Sequence, residues 1–136
     1  MQIQDLGHAK LARYKFFIYL NGLPLPEEYE RMFAALEAQG KTVIRLDAKN
    51  PPASAALRKT FQQHGVHVYL EADDVFACSQ TCLMIHAAAG GVKQVVLPTP
   101  MDIFNIVDGK TVGVRLERFS IEMKFGETAL FAMTKS

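Results

Sequence analysis

The sequence predicts a parallel α/β part followed by an antiparallel β part. Three observations lead to this fold class. The first half alternates apolar runs with helical periodicity, the composition changes near residue 72, and the remainder consists of short apolar segments separated by the turn sequences AAGG, PTP, DG and FGE. We therefore expect a doubly wound β-α-β-α-β parallel sheet and then a small antiparallel, β-sandwich-like part. The predicted organisation is a lead-in over 1–13, an α/β part over 14–72 and a β part over 73–136.

The α/β part begins with a strand, a helix and a second strand. The segment Phe16–Leu20 is apolar throughout, which is typical of a parallel strand covered on both faces. Pro26 fits the first turn of a helix, and Gly40 fits a left-handed C-cap. Between them one apolar stripe recurs at i, i+3, i+4 and i+7, formed by Tyr29, Met32, Phe33 and Leu36. The sequence therefore predicts a helix from about 26 to 39 and a strand over Thr42–Leu46.

A second helix and a third strand complete the predicted parallel sheet. The sequence NPP at 50–52 breaks the chain and starts the helix, in which Leu57 and Phe61 are expected to face inward. Gly65 is expected to close it. The following residues 66–70, VHVYL, alternate between apolar and more polar side chains, which predicts a third strand.

The β part shows no helical periodicity after the turn sequence ADD at 72–74. Seven short β-like segments follow it: Val75–Cys78, Cys82–Ala87, Val92–Leu97, Ile103–Val107, Thr111–Val114, Phe119–Met123 and Thr128–Met133. The tight turns between them predict antiparallel pairing. Because the chain has no repeats and no long linkers, we expect the two parts to share a core.

The charge balance argues against a nucleic-acid partner. Fifteen Lys and Arg against fourteen Asp and Glu give a formal net charge of +1, and no basic run exceeds two residues. Such a surface offers little of the counterion release that drives nucleic-acid binding. The opening sequence lacks an apolar signal-peptide region, and no segment reaches 18 apolar residues, so neither a signal peptide nor a membrane span is expected.

Cys78 and Cys82 are predicted to be buried free thiols. If the segment between them were one extended strand, their Cα atoms would lie about 13 Å apart, which exceeds the range of a disulfide. The sequence contains neither CxxC nor HExxH, the spacings typical of metal ligands. A catalytic thiol is expected at a sharp turn between a strand and a helix. Cys78 is instead followed by another β-like segment. We therefore expect neither cysteine to be catalytic.

Three histidines and two aspartates fall around the predicted junction, where they could in principle hold a metal ion. His64 is predicted at a helix end, His67 alternates with apolar residues, and His86 lies in the apolar run LMIHA. Each is expected to be a structural or surface histidine. A glycosidase needs two carboxyl groups about 5 to 10 Å apart across a cleft. Asp73 and Asp74 are adjacent in a turn, so we expect their side chains to diverge into solvent.

Neither a phosphate cradle nor a sugar-stacking platform is predicted. The chain lacks GxGxxG and GxxxxGK[ST] after its first strand, and Gly90 and Gly91 separate two β-like segments without a following helix. Five phenylalanines fall mostly at inward strand positions, which favours core packing over sugar binding: Phe76, Phe104, Phe119, Phe125 and Phe131. The sequence thus predicts no catalytic, cofactor-binding or metal-binding residue, and no cofactor.

The order of several segments nevertheless resembles a known family. The matching segments are, in order, YLN, GKTVIRL, GVHVY with DDV, LMIHA with a glycine pair and VLP, DGK and GETALF. In this order they resemble the C-terminal portion of beta-galactosidase-like glycoside hydrolases, from Tyr14 to Met133. There a catalytic TIM barrel is followed by a glutamine-amidotransferase-like, flavodoxin-type domain and a small β-domain. The resemblance implies a truncated flavodoxin-like sheet here, without the barrel and its catalytic glutamates.

The resemblance implies a role as a non-catalytic accessory module, structural or oligomeric, and not as an enzyme in its own right. Its partner would be the catalytic barrel of a parent protein or another copy of the chain. Two alternatives remain open at this point. One is an independent carbohydrate-binding module, and the other is a small hydrolase or amidotransferase that uses Cys78 or Cys82 with His86.

Overall fold

The computed structural model describes Leu11, Tyr14 and residues 16–21 and 24–135. The chain divides into two compact units, Met1–His64 and Gly65–Ser136. The predicted lead-in over 1–13 therefore lies, apart from Leu11, outside the described residues. Neither helix in the described part has the length and hydropathy that a membrane span requires.

The first unit is a small parallel β-α-β arrangement with a second helix. Strand β1 (Phe16–Asn21) pairs with strand β2 (Thr42–Asp47) along all six residues of each. Helix α1 (Glu27–Ala38) connects them, and helix α2 (Ser54–Gln63) follows β2. The predicted first helix and the first two strands are thus confirmed to within two residues at each end.

Helix α1 packs through the predicted stripe and ends in a Schellman motif. Phe33 is 3% exposed and Leu36 is buried beside it, with Phe17 of β1 in the same cluster. After the helix, the N–H of Lys41 donates to the carbonyl of Leu36 at 3.0 Å, and Gly40 takes a φ of 76°. A positive φ at this position is strained for a residue with a Cβ atom, which explains why the sequence places glycine there.

The predicted flavodoxin-like sheet is wrong, because the parallel sheet has two strands only among the described residues. Residues 66–70 belong to the second unit, where Leu70 forms an antiparallel bridge with Val95 and the Tyr69 carbonyl accepts from the N–H of Val96. A strand buried in a parallel sheet is apolar on both faces, whereas VHVYL is apolar on one. Its alternation suits the half-buried position that it takes beside an antiparallel strand.

The second unit is a single five-stranded antiparallel sheet instead of a sandwich. Its strands are β3 (Val75–Cys78), β4 (Cys82–His86), β5 (Gly91–Asn105), β6 (Lys110–Met123) and β7 (Thr128–Lys135). They lie in the order β3-β4-β7-β5-β6, so β3 and β6 are the edges. Four of the seven predicted segments merge in pairs into the long strands β5 and β6.

The merging depends on a bend in β5 at the sequence PTP. Val96 pairs with Arg118 and Met101 pairs with Leu116, so the bulged strand has three extra residues between those two pairs. Pro98 and Pro100 lie within this bulge, and proline has no N–H with which to continue a ladder. Pairing with β6 resumes at Met101 in a shifted register, with further register shifts before Ile103 and Phe104. From Met101 onward the strand also has β7 as its second neighbour.

One continuous apolar core fills the inner face of the bent sheet. Its fully buried members come from strands β4, β5 and β7, and they are Leu83, Ile85, Val95, Ile103, Phe131 and Met133. Phe119 of β6 contacts Phe131 with ring centroids 5.0 Å apart. The structure thus confirms Phe119 and Phe131 as core residues. Phe104 and Phe125 belong to the five phenylalanines of which most were predicted to lie at inward strand positions, but their side chains are 42% and 78% exposed.

Two further predictions about exposure are corrected by the fold. Strand β1 is not covered on both faces along its length, because Ile18 is 50% and Leu20 is 66% exposed. Helix α1 packs on the face that carries Phe17, and on the other face helix α2 reaches the start of the strand. In helix α2 the expected inward residues Leu57 and Phe61 are half-buried, and Phe61 contacts Phe16 of β1 with ring centroids 5.6 Å apart.

Candidate functional site

A buried ion pair is the most constrained polar feature of the second unit. The side chain of Asp74 is 2% exposed and that of Lys93 is 5% exposed. The Lys93 Nζ lies 2.9 Å from both carboxylate oxygens, and its N–H is directed at Oδ1. The Ala88 N–H donates to the same Oδ1 at 2.9 Å. Oδ2 has no directed hydrogen bond, and it faces the charge of Lys93 at 2.9 Å.

The surroundings of Asp74 favour its ionised form. Desolvation by burial acts to raise its pKa, but the hydrogen bond from Lys93, the N–H groups of Ala88 and Ala89 and the positive charge of Lys93 together outweigh it. The pKa of Asp74 therefore lies below its ordinary value. The pair ties the segment before β3 to strand β5 and to the turn after β4. This arrangement fixes loops in place and leaves no open coordination position.

The sequence prediction of a solvated Asp73–Asp74 turn is wrong for Asp74. The alternation of side chains along β5 could have identified Lys93 as a buried residue. Lys93 lies two residues before Val95 and four before Leu97, so all three side chains point to the inner face. An inward lysine in a half-buried strand requires an acidic partner, since an unpaired buried charge is very costly. Which carboxylate would reach it depends on the long-range pairing, and the local sequence does not contain that information.

A second polar contact joins Tyr69 to Cys78 beside β3. The Tyr69 ring also packs against Phe76 at 5.5 Å and against His67 at 4.6 Å, measured between ring centroids. Burial, the hydrogen bond to Cys78 and the negative charge of the Cys78 thiolate form raise the pKa of Tyr69. Partial desolvation of the thiol also raises the pKa of Cys78, although the hydrogen bond from Tyr69 opposes this. A thiol with a raised pKa carries less thiolate at neutral pH and is a weaker nucleophile.

The two cysteines are free, and they lie on opposite faces of the sheet. Cys78 pairs with Leu83, which points into the core, so adjacent Cys82 points to the outer face. Cys78 is exposed and Cys82 is half-buried, which corrects the prediction that both are buried. They stand on neighbouring strands, but opposite faces keep their side chains from meeting as a disulfide.

The structure does not assemble the residues of the cysteine-dependent alternative. His86 lies four residues from Cys82 along the same extended strand, about 13 Å away at ~3.3 Å per residue. Its ring Nδ1 is hydrogen-bonded to the Thr128 hydroxyl at 2.8 Å. His64 Nδ1 meets the Thr60 carbonyl and His67 Nε2 meets the Val96 carbonyl, each at 2.8 Å. Each of the three histidines therefore serves a local structural contact.

An open depression lies at the end of the sheet where β4 joins β5 and β6 joins β7. It has a volume of about 580 Å³ and is lined by Gly90, Gly91, Glu122, Met123, Lys124, Phe125 and Glu127. Phe125 is 78% exposed, although most phenylalanine side chains are buried. In the adjoining turn Gly126 takes a φ of 79°, and the Lys124 N–H donates to the Glu127 carboxylate.

Two neighbouring cross-strand rows on the outer side of the five-stranded sheet are apolar from strand β3 or β4 to β7 or β5. One cross-strand row runs from Ala77 through Met84 to Leu130, and the next runs from Cys82 through Ala132 to Phe104. We call these six side chains the outer face. Ala77 and Phe104 are exposed and the other four are half-buried. An antiparallel sheet with a solvated face normally carries polar side chains there, so these rows depart from that pattern.

Among the described residues, no group of three or more His, Cys, Asp and Glu side chains is arranged to hold a metal ion. Comparison with known proteins adds no assignment to these features. No family model matches the chain, and no curated protein matches it.

Replacing Lys93 tests whether the buried pair stabilises the second unit. We expect Lys93→Met to lower the free energy of unfolding by about 3–5 kcal/mol, because it leaves the Asp74 carboxylate buried beside only backbone donors. Adding Asp74→Asn should restore part of this loss by removing the orphaned charge. The measurement is urea denaturation, with Lys124→Met on an exposed turn as the control. A Lys93→Met loss no larger than that of the control would contradict the assignment.

The same pair predicts a pH dependence. Because the folded pKa of Asp74 lies below its unfolded value, its contribution to the free energy of unfolding is fully present above the unfolded pKa. It is lost as the pH falls through the lower, folded pKa. The difference in stability between the wild-type chain and Asp74→Asn should therefore be constant above roughly pH 5 and should narrow below it. Urea titrations from neutral to acidic pH measure this, with exposed Glu117→Gln as the control. A difference that persists unchanged into strong acid would exclude the low pKa.

Proposed function

We propose that this chain is a non-catalytic accessory module of a glycoside-hydrolase-like protein and that it acts by assembling folded protein surfaces. The order of the segments from YLN to GETALF supports the class of parent protein. The observation that carries the assembly role is the apolar outer face of the second unit. Contiguous exposed apolar surface on a soluble domain commonly marks a protein contact.

Burial of the outer face explains the choice of side chains at its centre. Phe104 is 42% exposed and stands directly opposite Ala132, which is small enough to leave the ring accessible from outside. Nearby Ile106 is 45% exposed and donates its N–H to the Leu130 carbonyl, so the apolar surface continues beyond the strand end. Aromatic and aliphatic side chains of this kind form the dry centre of protein interfaces. The first unit adds apolar surface of its own at Ile18 and Leu20.

Self-association provides the direct test of the assembly role. We expect light scattering to give a mass above the 15.1 kDa of one chain at micromolar concentrations. Phe104→Glu should lower that mass, because it places a charge within an apolar contact. The matched control is Val107→Glu, which adds the same charge at a 66% exposed turn position. A mass of one chain for the wild type at every concentration would contradict the proposal.

A second candidate function, carbohydrate binding, is favoured by Phe125. Its exposed ring borders a depression that also contains Glu122 and Glu127. An exposed aromatic face can cover the apolar C–H surface of a sugar ring while nearby carboxylates accept hydrogen bonds from its hydroxyl groups. The assembly role ranks first because its surface extends over several strands, whereas this depression is open and formed mainly by turns.

Phe125→Ala tests the second candidate. If the depression binds sugars, calorimetry with oligosaccharides at millimolar concentration should detect heat with the wild type and lose it with Phe125→Ala. Val107→Ala is the control, because its exposed side chain lies at the other end of β5 and β6. Binding that is absent from the wild type, or equal in both variants, would remove this candidate.

A further inference from the structure

The two edges of the five-stranded sheet differ in how well they are protected. Strand β6 carries five charged residues, Lys110, Arg115, Glu117, Arg118 and Glu122, and its ladder with β5 is irregular. Arg115 takes a positive φ of 52°, and its N–H donates to the Asp102 carboxylate at 2.8 Å. Charged side chains and irregular geometry are the devices by which natural sheets prevent edge-to-edge pairing.

Strand β3 has none of these devices. Its sequence VFAC contains no charge, no proline and no glycine, and its register with β4 is regular from Val75↔His86 to Cys78↔Leu83. Val75 is 57% exposed and Ala77 is exposed beside it. An uncharged, regular edge strand is a template for pairing with another strand.

The pairing of β3 with β4 determines which backbone groups face outward. The Ser79 N–H donates to the Cys82 carbonyl at 2.8 Å, so these two residues form a hydrogen-bonded pair. Because hydrogen-bonded and non-hydrogen-bonded pairs alternate in an antiparallel ladder, Ala77 also directs its N–H and C=O toward β4. The intervening residues Phe76 and Cys78 direct theirs away from it. In the described part of the chain, no backbone hydrogen bond reaches these outward groups.

We infer that strand β3 pairs antiparallel with the β3 strand of a second copy of this chain. The inference rests on the proposed assembly role and specifies one contact within it. In the register centred on Ala77, the backbone of Phe76 forms two hydrogen bonds with the backbone of Cys78 in the second copy. Two-fold symmetry adds the same two bonds between Cys78 and Phe76 of the second copy. All four outward backbone groups of each strand are then satisfied. Ala77 lies on the two-fold axis and faces its own copy.

A second copy fits this edge better than an unrelated strand does. The contact is isologous, so the same uncharged strand supplies both sides and no charge is left opposite an apolar residue. The outer-face row from Leu130 through Met84 to Ala77 continues across the axis into the same row in reverse order. Ala77 is small, which lets the two backbones approach at the non-hydrogen-bonded spacing of about 4.5 Å between Cα atoms.

A symmetric disulfide tests the register. In a background with Cys78→Ser and Cys82→Ser, Ala77→Cys should form a covalent dimer on mild oxidation, because a Cα separation of about 4.5 Å lies within the range of a disulfide. Val75→Cys in the same background is the matched control. Two Val75 positions would lie about 13 Å apart across the axis, and should not cross-link. The readout is the dimer fraction on a non-reducing gel at low protein concentration.

A charge at the axis provides the complementary test. Ala77→Glu places two carboxylates directly opposite each other, so it should lower the mass measured by light scattering, while Val107→Glu should not. Circular dichroism confirms that each variant is folded. Equal cross-linking at Val75 and Ala77, or an unchanged mass for Ala77→Glu, would overturn the β3 contact.

The outcomes also separate this contact from the proposed function. If the wild type associates and Phe104→Glu weakens association, but Ala77→Cys does not cross-link, the outer-face role stands and the β3 contact is wrong. If Ala77→Cys cross-links selectively and Phe104→Glu has no effect, the β3 contact stands and the outer face is not the assembly surface. A wild type that stays monomeric overturns both.

Discussion

The two-residue alternation of side chains along β5 is the constraint on which the second unit depends. Through this alternation Lys93, Val95 and Leu97 point inward before the bend, and Met101 and Ile103 point inward after it. The bulge at the prolines changes the register with β6 without turning the apolar set outward. One strand can therefore line the core on both sides of the bend, pairing with β6 before and after the bulge and with β7 in its second half.

The same alternation explains the buried ion pair. A lysine at an inward position of β5 would be expensive without a counter-charge, and Asp74 supplies one at 2.9 Å. The cost of two buried charges is offset by geometry, since the Ala88 N–H also binds the carboxylate. Because the Asp74 carboxylate binds both the Ala88 N–H and the Lys93 ammonium, it links the ADD turn to the AAGG turn and to β5.

Local features of the chain could be predicted where local physics determines them. The stripe from Tyr29 to Leu36 and the glycine at position 40 define α1, because helix periodicity and C-capping act within one segment. Strands β3, β4 and β7 were also predicted, since turn residues separate them, whereas β5 and β6 were each predicted as two shorter segments. The partner of the segment 66–70 could not be predicted in this way. Alternation indicates a half-buried strand but does not identify its neighbour, which depends on Leu70 entering the core beside Val95.

Exposure was the weaker part of the sequence prediction, for a related reason. Phe104 and Phe125 were assigned to the core because phenylalanine is usually buried, yet one lies on the outer strand face and the other at a turn. Phe104 and Ile103 are neighbours along β5, and neighbouring strand residues point to opposite faces of the sheet. The two side chains therefore could not both point inward. The prediction that Asp74 is solvated was wrong for the converse reason. It assumed that adjacent aspartates in a turn are exposed because aspartate is usually exposed. Residue type alone misjudged these positions, whereas strand register determines them.

The contrast between the two sheet edges links this architecture to function. Strand β6 is long, so it would expose many unpaired backbone groups, and its charges and irregular register make it a poor template. Strand β3 is short, and shortness alone limits unwanted pairing. Its lack of charge therefore costs little in the monomer but allows a self-complementary contact of only four hydrogen bonds. Such a contact is weak by itself, and a second surface would strengthen it. The apolar outer face begins at Ala77 on the same strand and can supply that surface. Its side chains project perpendicular to the sheet, whereas the edge of β3 bonds in the plane of the sheet.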